Sequence, residues 1–375
     1  MRIITYEYAD LGAGGLSFSK VEMGKVNLIV GDTGSGKTRF LNTIFNLGSS
    51  VTGQRRSGGP SRWKLTFDHQ GIQYGWQIRT DGAPDNRLIV VEEHLWQQTS
   101  SSRITIVHRT PQGFSFKDRE LPKLPGDSLS IYILREEDSI RPLYEAFSLI
   151  LRRYFHADAL KNITPVSVPN PEFFQVPIDN LLQLHTMDLP LNLKLYQLTK
   201  NFPEIYEKIC YNFTNVFSSI KDISMKDVKE LVPGSKLPGP APVLCVKEKD
   251  IKKWIGIDQL SSGMQKVLLI LTDTCSLPSG GMYLIDEYEN SLGVSAIDFL
   301  PSFIIGLEKD IQFIITSHHP YIINKIPIEN WLIFGRKGGK VTVRYGQSNI
   351  DIYGRSKQES FIKLINDPFY SGDVD

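Results

Sequence analysis

The sequence predicts an α/β fold, a parallel sheet with helices, into which an antiparallel β region and a helical lobe are inserted. Three observations predict it. A short apolar run, Lys25-Val26-Asn27-Leu28-Ile29-Val30, suits a strand buried on both faces and is followed by a glycine-rich turn and then helical spacing. Residues 63–134 break into short runs that alternate apolar and polar residues, the pattern of half-buried strands. Residues 138–230 then switch to apolar spacing of the helical kind.

In chain order, Met1-Arg2-Ile3-Ile4-Thr5-Tyr6-Glu7 lacks the apolar core of a signal peptide and reads as a strand. The buried strand ends at Val30, residues 31–38 break it, and Arg39-Phe40-Leu41-Asn42-Thr43-Ile44-Phe45 continues as a helix. Residues 48–62, rich in Gly and Ser, are expected to be a loop. Its Arg55, Arg56 and Arg62 are either solvated or set against phosphate. Strands are expected at 63–67, 72–78, 87–93, 103–108 and 129–134. Helices are expected through Leu143, Phe147, Leu151 and Tyr154, through Leu181, Leu182 and Leu184, and through Ile205, Ile209, Phe213, Val216 and Phe217. Prolines at 165, 169, 171, 177 and 190 cut this lobe into short helices, and no heptad pattern runs through it. Residues 233–242, with four prolines, form a rigid connector. Beyond it come a strand at 243–247, an apolar helix at 267–272, strands at 282–285 and 313–316, and a hairpin at 331–334 and 340–345. The expected division is therefore 1–137 (an N-terminal half), 138–242 (helical lobe and connector) and 243–375 (a C-terminal half with a tail). In that tail Phe361, Leu364 and Ile365 share one helical face, which docks on the chain's own body or on a partner.

Composition excludes several classes. Of 375 residues, 41% are hydrophobic and 22% charged, the balance of a globular chain long enough for two domains, or for one large domain with an inserted lobe. The net charge of +1 gives no bulk attraction for nucleic acid or membrane, though a local basic patch remains open. No eighteen apolar residues run together. Cys210, Cys245 and Cys275 are odd in number and widely spaced, fitting buried thiols in a reducing cytoplasm better than disulfides or zinc.

Gly31-Asp32-Thr33-Gly34-Ser35-Gly36-Lys37-Thr38 fits G-x-x-x-x-G-K-[ST], in the strand–turn–helix context which that pattern requires. The glycines let backbone N–H groups turn inward around a phosphate, and the helix start adds the positive end of its dipole. Lys37 brings a point charge to the outer phosphates, Thr38 offers a hydroxyl to Mg²⁺, and Arg39 is a further candidate contact. A nucleoside triphosphate is the expected ligand. Met282-Tyr283-Leu284-Ile285-Asp286-Glu287 ends an apolar strand in two acids: Asp286 suits Mg²⁺, and Glu287 suits a general base on the attacking water. Gln259-Leu260-Ser261-Ser262-Gly263-Met264 precedes an apolar helix and makes a second candidate anion site.

With these motifs in this order, the chain resembles ATPases of the ABC class, in particular the soluble branch of RecF-type, SMC-type and overcoming-lysogenization-defect-type proteins. Asp286-Glu287-Tyr288-Glu289-Asn290-Ser291-Leu292 is similar to that branch's Asp-Glu-Pro-Glu-Asn-x-Leu run. Phe313-Ile314-Ile315-Thr316-Ser317-His318-His319-Pro320 resembles its Thr-His-Ser-Pro element, so His318 corresponds to the switch histidine facing the γ-phosphate. A His-His metal pair is the alternative, without acids or cysteines at zinc spacing nearby. The chain departs from the pattern at Ser262 and Met264, at Tyr288 in place of proline, and at Gly293 in place of a frequent histidine. The Mg²⁺-sensing glutamine has no clear counterpart; Gln97, Gln98 and the Arg135-Glu136 stretch are the candidates.

The resemblance implies an ABC-type P-loop head that hydrolyses ATP with Mg²⁺. It also implies a dimer or higher oligomer in which Ser261, Ser262 and Gly263 of one subunit complete the ATP site of another. Lacking coiled-coil arms, and with about 40 residues after the last core segment, the chain is expected to be a stand-alone cytoplasmic head. Such heads resemble bacterial ATPases that control a separate effector, often a nuclease or toxin, in phage defence. A RecF-like DNA-repair ATPase is the alternative, and a scaffold with negligible turnover a third, disfavoured by Glu287 and His318.

Overall fold

The computed structural model describes residues 1–55, 58–83, 87–153, 177–187, 189–232, 234, 241–353 and 357–371. By its internal contacts the chain divides into two compact units. The first comprises Met1–Arg153, Ser279–Tyr288 and Ile304–Asp375, the second Tyr154–Pro278 and Glu289–Phe303.

The first unit is built on one long sheet. Its strands are β1 (Arg2–Asp10), β2 (Ser17–Glu22), β3 (Val26–Val30), β4 (Ser61–His69), β5 (Ile72–Gly82), β6 (Leu88–Gln98), β7 (Arg103–Arg109), β8 (Phe114–Phe116), β9 (Arg119–Leu121), β10 (Ile150–Arg153), β14 (Gly281–Ile285), β15 (Ile311–Thr316), β16 (Trp331–Lys337) and β17 (Lys340–Tyr345). Among the described residues they lie in the order β10-β14-β15-β3-β16-β17-β2-β1-β4-β5-β6-β7-β8-β9. The first five are mutually parallel, and from β1 to β9 every pairing is antiparallel. Every residue of β3, β14 and β15 is buried, as parallel strands covered on both faces require.

Helix α1 (Lys37–Val51) follows β3. Its Phe40 ring meets the edges of Tyr6, Phe18 and Phe334 at centroid distances of 5.2–5.4 Å, and the Tyr6 hydroxyl donates to Thr43 Oγ1 at 2.9 Å. These contacts fix the helix on the sheet behind the glycine-rich turn. Also in this unit are α2 (Ser130–Ile133) and α3 (Arg141–Ser148).

The second unit carries α4 (Leu181–Thr186), α5 (Leu191–Asn201), α6 (Pro203–Val216), α7 (Val228–Leu231) and α8 (Ser262–Ser276), with a small antiparallel sheet of β11 (Ile220–Asp227), β12 (Pro242–Glu248) and β13 (Ile255–Gly256). In its core Lys194 Nζ meets Asp273 Oδ1 at 3.0 Å, an ion pair that ties α5 to α8 with both groups almost wholly buried. The chain continues through α9 (Val294–Ile305). Then, in the first unit, come α10 (Pro320–Lys325), α11 (Ile350–Tyr353), α12 (Lys357–Ile365) and α13 (Pro368–Ser371).

Several sequence expectations are corrected. Residues 129–134 are not a strand: Ser130–Ile133 is a helical turn. The buried Glu93 carboxylate accepts from the Ser130 N–H at 3.0 Å and its hydroxyl at 2.6 Å, capping that turn from β6. Leu151 is not helical but lies in β10, where parallel pairing with β14 overrides the local spacing. Tyr154 lies outside the described residues. Residues 220–227 form β11 rather than helix, paired with β12. The 48–62 segment is shorter as a loop than expected, because α1 runs to Val51 and β4 begins at Ser61. Gly48 brings α1 close to β10, where a Cβ would lie 3.1 Å from Ile150 Cδ1. Arg62 is exposed on β4, Arg55 follows α1, and Arg56 is outside the described residues, as is most of the 233–242 connector. Of the tail's expected apolar face, Leu364 is buried and Phe361 half-buried, while Ile365 is exposed. Phe369 packs against Gly335 of β16, so this tail docks on its own unit. Cys245 and Cys275 are buried and Cys210 half-buried; burial pushes the Cys210 and Cys245 thiols up to about 11.

Candidate nucleotide site

The turn from β3 to α1 has the backbone its sequence demands. Gly34 and Gly36 stand at φ +83° and +98°, where a side chain is strained. At Gly31 a Cβ would lie 2.7 Å from both the Phe334 carbonyl oxygen and Ser35 Oγ. The α1 N-cap, Gly36, offers no side-chain cap, and no acidic residue occupies the first turn. A helix start of this kind, with its first amides uncapped by side chains, is suited to an anion. Lys37 is buried, and its Nζ donates to the carbonyls of Gly31 at 2.8 Å and Asp32 at 2.9 Å, with Ser35 Oγ at 3.4 Å. The Asp32 side chain accepts from the Thr33 N–H at 2.7 Å, closing the outer edge of the turn. Arg39 turns elsewhere: its guanidinium meets Asp10 at 2.5 Å.

Sheet register brings the acidic strand end to this turn. β15 lies between β14 and β3, and Asp286 follows the last residue of β14. Asp286 Oδ1 accepts from the Thr38 hydroxyl at 3.2 Å and from the Thr316 hydroxyl at 2.7 Å. An adjacent hydroxyl and carboxylate are the hard oxygen donors that Mg²⁺ takes beside a triphosphate, so these residues fit the cation that the motif implies. Thr38 and Asp286 are the residues that would hold it.

Glu287 is exposed, with its backbone at φ +46°, and its N–H donates to Thr316 Oγ1 at 2.9 Å. Thr316 therefore holds both acids, one by its carboxylate and one by its amide. Tyr288, where the resembling run has proline, donates its N–H to the Thr316 carbonyl at 3.0 Å, a bond that proline cannot make. Its ring is fully buried, and burial pushes the phenol well above its ordinary range.

His318 and His319 lie just after β15, both exposed. His319 is the N-cap of α10, and its Nδ1 accepts from the Tyr321 N–H at 3.2 Å, which uses a nitrogen that a metal would need. Among the described residues no three His, Cys, Asp or Glu form a group suited to a metal ion.

Ser261, Ser262 and Gly263 belong to the second unit. Ser261 caps α8, its Oγ accepting from the Met264 N–H at 3.3 Å. Gly263 lies against the 289–293 segment, where a Cβ would come within 2.4 Å of the Ser291 carbonyl oxygen. Lys266, one turn on and buried, donates to the Asn290 carbonyl at 2.8 Å. Within this unit, the serine-glycine segment and the run following the two acids are thus fastened together. Gln97 and Gln98 lie on β6, toward the other end of the sheet from β14, and Gln98 accepts from Arg103 at 3.2 Å. Arg135 donates to the Tyr132 carbonyl at 2.8 Å.

Sequence reasoning missed two residues of this cluster. Arg152 Nη2 meets Asp286 Oδ2 at 3.2 Å, and its Nη1 donates to Asn42 Oδ1. Asn42 is one turn beyond Thr38 on α1, so the two share a helix face. A strand assignment at Leu151 would have exposed the signal: a buried arginine beside the acidic strand end.

Comparisons with known proteins bear on the fold and the family. A curated relative, the chromosome partition protein Smc of Methanocaldococcus jannaschii, is 25% identical over 213 residues. That is 56% of this chain but only 17% of the relative, so the chain spans a small part of its length. The crystal structure of an SmcHead bound to the C-winged helix domain of ScpA covers 92% of this chain and 98% of its own, at TM-score 0.53 and 15% identity. The Smc head domain with an extended coiled coil from Pyrococcus furiosus, bound to the C-terminal domain of ScpA, covers 94% and 98% at TM-score 0.49 and 14% identity. The fold is that of an SMC head, as the first of these structures shows. Residues 26–324 match a family model, and the chain belongs to that family, described as "AAA domain, putative AbiEii toxin, Type IV TA system".

Proposed function

We propose that the protein is an ATP-gated ATPase that dimerises, or forms a higher oligomer, around nucleotide and thereby controls a separately encoded effector, a nuclease or toxin, in cytoplasmic phage defence. The observation that carries the ATPase reading is the convergence of Thr38, Asp286 and Glu287 at one end of the parallel strands, where Thr316 joins the two acids and Asp286 meets Thr38, the neighbour of Lys37 in the turn. The family's description supports the link to a toxin system, and the SmcHead held by a ScpA domain supports a protein partner. Among the described residues no helix is long and apolar enough to cross a membrane.

In this reading Gly31 to Thr38 wrap the phosphates. Lys37 exchanges the carbonyls of Gly31 and Asp32 for the outer phosphate oxygens. Mg²⁺, when bound, neutralises charge on those oxygens. Glu287 accepts the proton of the attacking water, and His318 orients the γ-phosphate. Ser261, Ser262 and Gly263 of a second subunit close over the nucleotide. Binding then favours the closed pair, and hydrolysis releases it.

Glu287→Gln tests this directly. With ATP it should bind nucleotide, lose turnover and run at twice the monomer mass in light scattering. Hydrolysis at the parent rate removes Glu287 as the base, and a monomer with ATP bound removes the sandwich. A second reading, a RecF-like ATPase acting on DNA directly, rests on the resemblance to a chromosome partition protein. It requires salt-dependent DNA affinity in the purified chain, whereas a nuclease or toxin co-purifying with the chain favours the first.

A further inference from the structure

Arg152 is a charged group of the cluster that neither nucleotide chemistry nor the sequence motifs account for. Its side chain has no solvent exposure and it sits on β10, at the end of the sheet, paired in parallel with β14. A guanidinium keeps its proton under all ordinary conditions, so the fold places a permanent cation there. A buried cation persists only where it is paired, and Asp286, 13% exposed, supplies the partner through Oδ2 at 3.2 Å. The second anchor is Asn42 Oδ1. Thr38, Asp286, Arg152 and Asn42 therefore close a ring that leaves α1, crosses the tip of β14 and β10, and returns to α1 one turn later.

We propose that Arg152 is a positioning residue that stands in for the divalent cation. It neutralises Asp286 in the empty site and holds its other oxygen, Oδ1, toward Thr38. It also repels a divalent ion arriving alone, so that metal enters only with the triphosphate. The inference rests on Thr38 and Asp286 being the metal ligands, as proposed above. Two positive centres sharing one carboxylate oppose each other, and the triphosphate's negative charge offsets that opposition. A site without Arg152 would present an uncompensated carboxylate and a hydroxyl, a pair that binds a divalent cation with no nucleotide present. Arg152 thus couples metal affinity to nucleotide occupancy.

The test is Mn²⁺ binding to the nucleotide-free protein, read by electron paramagnetic resonance, in the parent, Arg152→Gln, Arg152→Lys and Asn42→Asp. Arg152→Gln should bind Mn²⁺ alone about tenfold more tightly or better, since one charge–charge interaction at this range is worth about that factor. Arg152→Lys, which keeps the charge, should behave as the parent. Asn42→Asp offers the guanidinium a second anion without removing it, and should tighten Mn²⁺ binding by a smaller factor. If Arg152→Gln does not fold, Asn42→Asp decides alone. Mn²⁺ affinity unchanged from the parent in folded Arg152→Gln or, if that variant does not fold, in Asn42→Asp overturns the proposal, as does Arg152→Lys shifting as far as Arg152→Gln. Binding of a fluorescent ATP analogue with Mg²⁺, lost in Lys37→Ala, is measured in parallel. Its absence from the parent overturns the nucleotide reading itself and is a different result from unaltered Mn²⁺ affinity.

Discussion

The two halves of the long sheet carry the same hydrogen-bonded backbone to opposite ends. In the parallel half, β3, β14 and β15 are buried on both faces, and the polar groups gather where the strands stop: Asp286 after β14, Thr316 at the tip of β15, Lys37 beyond β3. In the antiparallel half, from β1 to β7, one face is core and the other meets solvent. The cross-strand row Glu7, Lys64, Gln77, His94 and His108 runs along the wetter face, half-buried to exposed. Tyr6, Leu65, Trp76, Leu95 and Val107 form the matching row beneath it, all buried. Strands covered on both faces leave only their ends for chemistry, whereas a one-sided sheet spends its polar residues on solvation and cross-strand pairs. The parallel half is therefore where substitutions should act on turnover, and the antiparallel half where they should act on stability.

Four substitutions probe that division, from the strongest effect to the weakest. Lys37→Ala should abolish nucleotide binding, with turnover falling at least about a hundredfold, because a preorganised cation at the phosphates has no substitute. Equilibrium dialysis with labelled ATP reads the loss, and retained binding would break the assignment of the parallel end. Glu287→Gln should lower turnover by about a hundred- to ten-thousandfold with nucleotide affinity kept, as removal of a general base does. Phosphate release against ATP affinity separates the two.

On the antiparallel side, Gly75→Val should cost about 1–3 kcal/mol of stability, because a Cβ there lies 2.2 Å from the Trp96 indole directly across on β6. Chemical denaturation measures the cost, and turnover per folded molecule should equal that of the parent. A large fall in turnover would show that the two halves are energetically one site.

The smallest effect concerns Glu93, buried under the same half and held by Ser130, Trp76 and, at 3.9 Å, Arg109. Burial raises its carboxyl pKa above the ordinary 4.5, against the lowering effect of its hydrogen bonds and of Arg109. The fold thus holds this proton more tightly than the unfolded chain does. The resulting stabilisation is complete below the ordinary value and fades as pH rises through the folded one. Glu93→Gln removes that titration, so its melting temperature should vary less with pH across the mildly acidic range than the parent's. An identical slope in both proteins would exclude Glu93 as its source.

Residues 31–38 determined their own conformation, because the turn needs positive φ at Gly34 and Gly36, which glycine adopts freely. Asp286 and Glu287 were legible because an apolar run of strand length ends on them, and Ser261 because a serine before an apolar helix is a cap. Those signals are local, carried within about eight residues. The stretch around Arg152 was illegible for the converse reason. Its helical spacing is genuine, and only pairing with β14, some 130 positions later, makes it a strand and turns its guanidinium onto Asp286. Ser130–Ile133 is the same case, an extended-looking run bent into a turn by a carboxylate from another strand. The sequence by itself determined which chemistry the chain carries, since motif residues answer to backbone rules that act at short range. Tertiary structure alone decided which charges meet, because a buried cation and a buried anion choose each other by desolvation, and desolvation exists only once the sheet has closed over them.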